Sequence, residues 1–177
     1  AGLQAISAIR EVCPDKLVLA DFKTPDVGAL EAKMAFDAGA DIMTVIGGAA
    51  LVTAEQALSV AKSEGKNAQI ELTGVKNILE EARQWRESGI EWMVYHRGWD
   101  EQGSANREWN QQDLDTIQKL IDMGFRFTVT GGITVYSVSF FKGLDLEAII
   151  AGRAIHQADA PLESARALKS RIAELWG

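Results

Sequence analysis

Short apolar runs alternate with amphipathic stretches along the whole chain. Most of the runs are continuously apolar, which is typical of parallel strands that are covered on both faces. The predicted strands are Leu17–Ala20, Ile42–Ile46, Gln69–Leu72, Trp92–Tyr95, Phe127–Thr130 and Ala148–Ala151. The pattern therefore predicts a parallel α/β protein.

The stretches between the runs place apolar residues at helical spacing. The predicted apolar stripes are Leu30, Met34 and Ala38; Leu58 and Ala61; Leu79, Ala82 and Trp85; Leu114, Ile117 and Ile121; and Leu162, Ala165, Leu168, Ile172 and Leu175. Thr53 and Gln56 have the spacing of a capping box for the second of these helices. Pro161 suits the first turn of the last helix.

Three predicted helices end in a glycine that is followed at once by a strand: Gly39, Gly89 and Gly124. Each glycine can take the left-handed conformation just past a helix end. The recurrence is a weak internal repeat of the size of one βα unit. Strand–helix alternation with short connections predicts either a doubly wound sheet or a closed (β/α)8 barrel.

The number of units favours the barrel. We count six strands, and the chain begins inside an amphipathic helix with Leu3, Ile6 and Ile9 but no N-cap. No G-x-G-x-x-G follows a strand, which disfavours a dinucleotide-binding fold. We therefore predict one domain over residues 1–177, a (β/α)8 TIM barrel in which this chain supplies strands three to eight and lacks the first two. Because such a piece has open sheet edges, we expect these 177 residues alone to be inactive.

Composition excludes several classes of partner. The net charge of −7 argues against binding to nucleic acid or to an anionic membrane surface. No apolar run approaches the roughly 20 residues that cross a bilayer. The single cysteine, Cys13, rules out an internal disulfide and predicts a reducing, cytoplasmic location.

Polar side chains gather where the predicted strands end, which is where a barrel enzyme has its active site. The residues at these strand ends are Asp21 and Lys23, with Asp26 in the loop that follows; Glu71 and Thr73; His96 and Arg97; Thr130, Gly131 and Gly132; and Gly152 and Arg153. The last two groups combine glycine turns with a guanidinium, a combination that suits a phosphate group. The alternative is that both glycine turns are simply tight connections.

Lys23 lies between two carboxylates in sequence, Asp21 and Asp26. Such a lysine should stay protonated, which favours stabilisation of a developing anion over imine formation. Strand alternation turns Glu71 to the same face as Gln69, and Lys23 is a plausible partner for this carboxylate. A surface salt-bridge cluster is the alternative. His96 is a candidate acid or base or a hydrogen-bonded structural histidine.

These motifs resemble a known family. The stretch LADFKTPDVG resembles the D-x-K-x-x-D motif on strand three of the orotidine monophosphate decarboxylase suprafamily. The stretches DAGADIMTVIGGA, AQIELTG, VYHR, FTVTGGIT, IIAGRAI and SRIAELWG are similar, in order, to those of the 3-keto-L-gulonate 6-phosphate decarboxylases within it. The resemblance implies a (β/α)8 barrel and a Mg²⁺-dependent decarboxylation of a phosphorylated keto sugar acid through an enediolate.

The resemblance also implies a role for each matching residue. Asp21 would bind the metal and contact the substrate, and Lys23 would stabilise the enediolate. Asp26 would reach into the site of a neighbouring subunit, which implies a homodimer. The remaining matches are Glu71 as the carboxylate that holds the lysine, His96 in proton delivery, Thr130 in the pocket, and Gly132, Gly152 and Arg153 at the phosphate.

Two departures and two rivals accompany this interpretation. The family's strand-one aspartate and strand-two glutamate have no counterpart in this chain, and Trp99 stands where an arginine usually assists proton delivery. D-arabino-hex-3-ulose 6-phosphate synthase, an aldolase, is the nearer rival, but it tends to carry aspartate in place of Glu71 and alanine in place of Thr130. A non-catalytic sugar-phosphate-binding barrel would need none of Asp21, Lys23 and Asp26.

Overall fold

The computed structural model describes residues 2–98 and 108–177. Helices and strands alternate through both ranges. In chain order they are α1 (Leu3–Val12), β1 (Leu19–Thr24), α2 (Gly28–Asp37), β2 (Ile42–Ile46), α3 (Leu51–Ser63), β3 (Asn67–Glu71), α4 (Ile78–Glu87), β4 (Trp92–His96), α5 (Gln111–Asp122), β5 (Arg126–Thr130), a 3-10 helix (Ser137–Phe141), β6 (Ala148–Ile150), α6 (Arg153–His156) and α7 (Pro161–Trp176). Trp99 lies outside the described residues.

The first of two compact units spans Ala1–Val94. Its strands are parallel and lie in chain order, with Ile42 opposite Asn67 and Ile70 opposite Met93. Met43, Val45, Ile70 and Met93 are at most 1% exposed, so the sheet is buried as the continuous apolar runs predicted. Helices α2 and α3 pack against these strands and contribute to their burial.

Helices α2 and α3 pack closely in this unit because small residues face each other. A Cβ atom at Gly28 would overlap the carbonyl oxygen of Thr53. Ala32 and Ala35 on α2 and Ala57 on α3 are fully buried. Close approach of two helix backbones leaves no room for larger side chains there.

That packing overturns two sequence predictions. Leu30 and Met34 were expected to face the core, but they are 59% and 40% exposed. The predicted capping box is also wrong, because α3 begins at Leu51 after Ala50, and Thr53 is buried inside the helix. In the case of Leu30 and Met34, an alanine face, which has weak hydrophobic contrast, occupies the core position instead of the longer apolar residues.

The second unit spans Tyr95–Gly177. Its strands β5 and β6 are parallel, with Thr128 opposite Ala148. A capping box in which Asn110 and Asp113 exchange hydrogen bonds starts α5, and Pro161 stands in the first turn of α7 as predicted. Phe127 and Phe141 are fully buried in its core.

The predicted strand–helix alternation is confirmed as a parallel α/β fold with six strands in the described residues. Gly39, Gly89 and Gly124 have φ of 107°, 83° and 89°, the left-handed conformation expected at these corners. The closed eight-stranded barrel, and the numbering of these strands as three to eight, stay predictions. Among the described residues, no helix is long and apolar enough to span a membrane.

Candidate active site

Strand β1 is longer than predicted, and this extension carries Asp21 and Lys23 within the strand. The register against β2 shifts between Ala20 and Thr24, which marks a β-bulge. Lys23 has φ of 52°, a left-handed conformation that residues with side chains rarely adopt. The bulge places Lys23 beside Thr44, where the register set by Ala20 and Met43 would have put it opposite Ile46.

The side chain of Lys23 lies between two carboxylates. Its Nζ is 2.5 Å from Oδ2 of Asp21 and 2.6 Å from Oε2 of Glu71. Glu71 is 2% exposed and also accepts a hydrogen bond of 2.5 Å from the hydroxyl of Thr73. We call Asp21, Lys23, Thr44, Glu71 and Thr73 the lysine cluster. The partner expected for the inward carboxylate of Glu71 is therefore present.

The cluster keeps Lys23 charged. Burial by itself would lower the pKa of Lys23, but hydrogen bonds to Asp21 and Glu71, together with the charges of both carboxylates, outweigh it and raise the pKa above the ordinary lysine value. An amine in this state is a poor nucleophile and a good electrostatic partner for an oxyanion. The arrangement can stabilise negative charge and is not built for imine formation.

Thr44 is a member of the cluster that the sequence reasoning missed. Its hydroxyl donates to Oδ1 of Asp21 and accepts from the backbone N–H of Lys23, both at 2.9 Å. Thr44 is 1% exposed and lies in the middle of β2. A mid-strand threonine gives no sequence signal, since β-branched residues are ordinary there.

Asp26 lies apart from the contacts that define the lysine cluster. Its carboxylate accepts a hydrogen bond of 2.8 Å from the N–H of Val27. The residue is exposed and precedes α2. Val27 has φ of 51°, so the connection turns sharply here. The turn presents the Asp26 carboxylate to solvent rather than to Lys23.

The second unit contains an open cavity of about 810 Å³. Its walls bring together all of the residues predicted at the ends of the last three strands: His96, Arg97, Thr130, Gly131, Gly132, Gly152 and Arg153. We call this cavity the glycine–arginine pocket. His156 also lines the pocket.

Gly131 forms part of the pocket wall for steric reasons. It has φ of 108°, and a Cβ atom there would overlap the carbonyl oxygen of Arg97. The N–H of Arg97 donates to the carbonyl of Thr130 at 3.1 Å, and Nε1 of Trp109 donates to the carbonyl of Gly131 at 3.0 Å. The guanidinium of Arg97 lies over the ring of Trp109 at 5.4 Å.

Gly152 has a different surrounding. Its φ is −94°, and a Cβ atom there would meet nothing within 4 Å. The absent side chain therefore leaves open space next to Arg153 and gives a ligand access to the backbone. Of the two explanations for the glycine turns, Gly131 fits a tight connection and Gly152 fits access for a ligand.

The metal prediction has one candidate ligand in the described residues. No group of three or more histidine, cysteine, aspartate or glutamate residues that could hold a metal occurs in residues 2–98 and 108–177. Asp21 nonetheless has a half-exposed carboxylate, and a carboxylate has spare acceptor sites beyond its bonds to Lys23 and Thr44. Mg²⁺ commonly uses one or two carboxylates with water and substrate oxygens, so this donor chemistry fits the ion.

Comparisons with known proteins show which family this chain is similar to. A family model described as Orotidine 5′-phosphate decarboxylase / HUMPS family matches residues 1–168. The 3-keto-L-gulonate-6-phosphate decarboxylase of Salmonella typhi is 45% identical over 176 residues, which cover 99% of this chain and 81% of that protein.

Two solved structures of similar proteins have the same fold. KGPDC from Streptococcus mutans is 36% identical with a TM-score of 0.95, and the match covers 100% of this chain and 82% of that one. The 3-hexulose-6-phosphate synthase from Salmonella typhimurium is 34% identical with a TM-score of 0.91, and the match covers 98% of this chain and 81% of that one.

Proposed function

The chain belongs to the orotidine 5′-phosphate decarboxylase / HUMPS family, and from this premise we propose that it decarboxylates 3-keto-L-gulonate 6-phosphate to L-xylulose 5-phosphate and carbon dioxide. The observation that carries the proposal is the protonated Lys23 held between Asp21 and Glu71. Similarity to relatives named for this reaction supports the choice of substrate.

The lysine cluster suits the difficult step of this reaction. When a β-keto acid loses carbon dioxide, the electron pair of the broken carbon–carbon bond passes to the adjacent carbonyl and leaves an enediolate. The ammonium of Lys23 would stabilise the negative charge that develops on the enediolate oxygens. Glu71 holds that ammonium in place from a buried position. A pre-positioned charge of this kind needs no reorganisation as the reaction proceeds.

Mg²⁺ is the proposed cofactor, with Asp21 as the ligand from this chain. The bound ion would supply additional positive charge for the substrate oxygens. Asp21 would also contact the substrate. In this proposal Asp21 orients the substrate oxygens, and Lys23 neutralises the negative charge of the enediolate.

The glycine–arginine pocket is proposed to bind the phosphate ester. Arg153 would pair with the phosphate, and the backbone near Gly132 and Gly152 would approach its oxygens closely. Thr130 would line the pocket. His96, which lines the same pocket, is proposed to deliver the proton that replaces carbon dioxide.

Two further proposals concern assembly and location. The active form would be a homodimer in which Asp26 completes the site of the partner subunit, consistent with its exposed position. A cytoplasmic location rests on the single cysteine of the sequence.

The proposal is tested with Lys23→Ala in the full-length protein supplied with Mg²⁺. We expect carbon dioxide release from 3-keto-L-gulonate 6-phosphate to fall on the order of 10³-fold, because the developing charge loses its main partner. Binding of inorganic phosphate should survive. Lys33→Ala is the matched control, since Lys33 forms only surface ion pairs with Asp37 and Glu64. Near-native release by the Lys23 variant would show that the lysine assignment is wrong.

The synthase activity is the second candidate, because a hexulose-phosphate synthase has the same fold at 34% identity. Condensation of formaldehyde with ribulose 5-phosphate, measured beside carbon dioxide release in one preparation, separates the two. Glu71 and Thr130 favour the decarboxylase. Phosphate-ester binding with neither reaction would indicate a non-catalytic binding protein.

A further inference from the structure

Thr44 stands opposite the irregular part of β1. Ala20 pairs with Met43 and Thr24 pairs with Val45, so β1 advances four residues (20 to 24) while β2 advances two (43 to 45). Thr44 is the one β2 residue between these pairs, and it is 1% exposed. Two additional residues of β1 must therefore be accommodated against this threonine.

The hydroxyl of Thr44 accepts one hydrogen bond and donates another. It accepts from the N–H of Lys23 at 2.9 Å and donates to Oδ1 of Asp21 at 2.9 Å. A hydroxyl can do both at once, and neither valine nor alanine can do either. The first bond satisfies the backbone of a residue at φ of 52°, outside regular strand geometry. The second restricts the rotation of the Asp21 carboxylate.

We propose that Thr44 is a positioning residue that sets the bulge of β1, and with it the placement of Lys23 and Asp21. Without the hydroxyl, the N–H of Lys23 loses its acceptor and the ladder of β1 can return toward regular pairing. Continued from the Ala20–Met43 pair, regular pairing would set Lys23 opposite Ile46 instead of beside Thr44, which would shift its Nζ along the strand relative to Asp21 and Glu71. The inference rests on the proposed function only where it links this placement to turnover.

The test compares Thr44→Val, which keeps the shape of the side chain, with Thr44→Ser, which keeps the hydroxyl. In the full-length protein with Mg²⁺, we expect kcat of the valine variant to fall about 10- to 100-fold with KM within about threefold of native. Thr44→Ser should recover kcat to within about threefold of native. Thr53→Val, which removes another buried threonine hydroxyl of the same unit, should keep native kinetics.

A crystal structure of each variant without substrate gives a readout independent of turnover. In Thr44→Val we expect the backbone of Lys23 to leave its left-handed conformation and Nζ to separate from Glu71; in Thr44→Ser both should stay. If the valine variant does not fold, Thr44→Ala replaces it in both arms. Unmoved Lys23 and Asp21 in a variant without the hydroxyl, or equal losses for serine and valine, would overturn the proposal.

The two conclusions fail separately. If the native protein releases no carbon dioxide, the proposed function is wrong, and the crystal structures still decide the role of Thr44. If native turnover is normal and Thr44→Val matches it while folded, the positioning role is wrong and the proposed function stands. Binding of inorganic phosphate should be equal in all variants, because Thr44 does not line the glycine–arginine pocket.

Discussion

Lys23 combines two features that are uncommon in proteins: a left-handed backbone on a residue with a side chain, and a partly buried ammonium held between two carboxylates. The strained backbone costs on the order of 1–3 kcal/mol where nothing compensates it. The compensation is local: two carboxylates for the charge and the hydroxyl of Thr44 for the backbone. Strain of this kind at one polar cluster is a mark of a functional site.

Glu71 should matter for stability beyond any role in turnover. Glu71→Gln removes the charge of a side chain that is 2% exposed and takes one of the two carboxylates away from Lys23. We expect the free energy of unfolding to fall by on the order of 2 kcal/mol, measured by urea denaturation. Glu163→Gln is the control, since its surface pair with Arg166 should contribute less than about 1 kcal/mol. Equal losses of unfolding free energy in the two variants would mean that the burial of Glu71 adds nothing to stability.

The pH dependence of the Lys23 pairing follows from the direction of its shift. Because the folded pKa of Lys23 is raised, its stabilisation is complete below the unfolded lysine pKa of about 10.4 and is lost as pH rises through the higher folded pKa. The stability difference between native protein and Lys23→Met should therefore be constant across neutral pH and shrink only in strong alkali. A difference that already changes between about pH 6 and 8 would contradict this assignment.

At the scale of elements, the two glycine turns of the pocket make different demands. Gly131→Ala combines a positive φ with a backbone overlap at Arg97, so we expect a loss of about 2–4 kcal/mol in unfolding free energy. Gly143→Ala is the control for φ alone, since its φ is 96° with nothing within 4 Å, and about 1 kcal/mol is expected. Denaturant melts of both variants give the comparison. Equal losses would show that the contact with Arg97 relaxes freely.

Gly152→Ala tests whether the same pocket binds phosphate. The added methyl meets no protein atom, so the fold should be unaffected. It occupies space beside Arg153 that we assign to phosphate, so affinity for inorganic phosphate should fall about tenfold or more by calorimetry. Native affinity in a folded Gly152→Ala variant would place the phosphate elsewhere.

At the scale of the whole molecule, the proposed dimer can be tested by complementation. Lys23→Ala and Asp26→Asn should each be inactive as homodimers. If Asp26 serves the partner's site, a mixed dimer has one site with both native residues, so an equal mixture should recover about a quarter of native turnover. Size-exclusion chromatography checks the assembly. Mixed dimers that form without recovering turnover would place Asp26 in the site of its own subunit.

Short-range pattern was enough to predict much of this molecule. The six strands follow from runs of apolar residues, and the corners at Gly39, Gly89 and Gly124 follow from the need for positive φ at a helix end. The effect of Asp21 on the charge of Lys23 follows from its place two residues away in sequence, whereas the second carboxylate is Glu71 and not Asp26 as predicted. These features depend on neighbours within a few residues, which periodicity and composition record directly.

Only the tertiary structure decided the rest. The close approach of α3 decided which face of α2 is buried. That face carries alanines, and Leu30 and Met34 are exposed. The bulge of β1 and the contribution of Thr44 depend on a partner strand about twenty residues away. Hydrogen bonds and packing between distant segments leave no periodic trace, so the contact between Lys23 and Glu71 was predicted from sequence while the bulge and the hydrogen bonds of Thr44 were not.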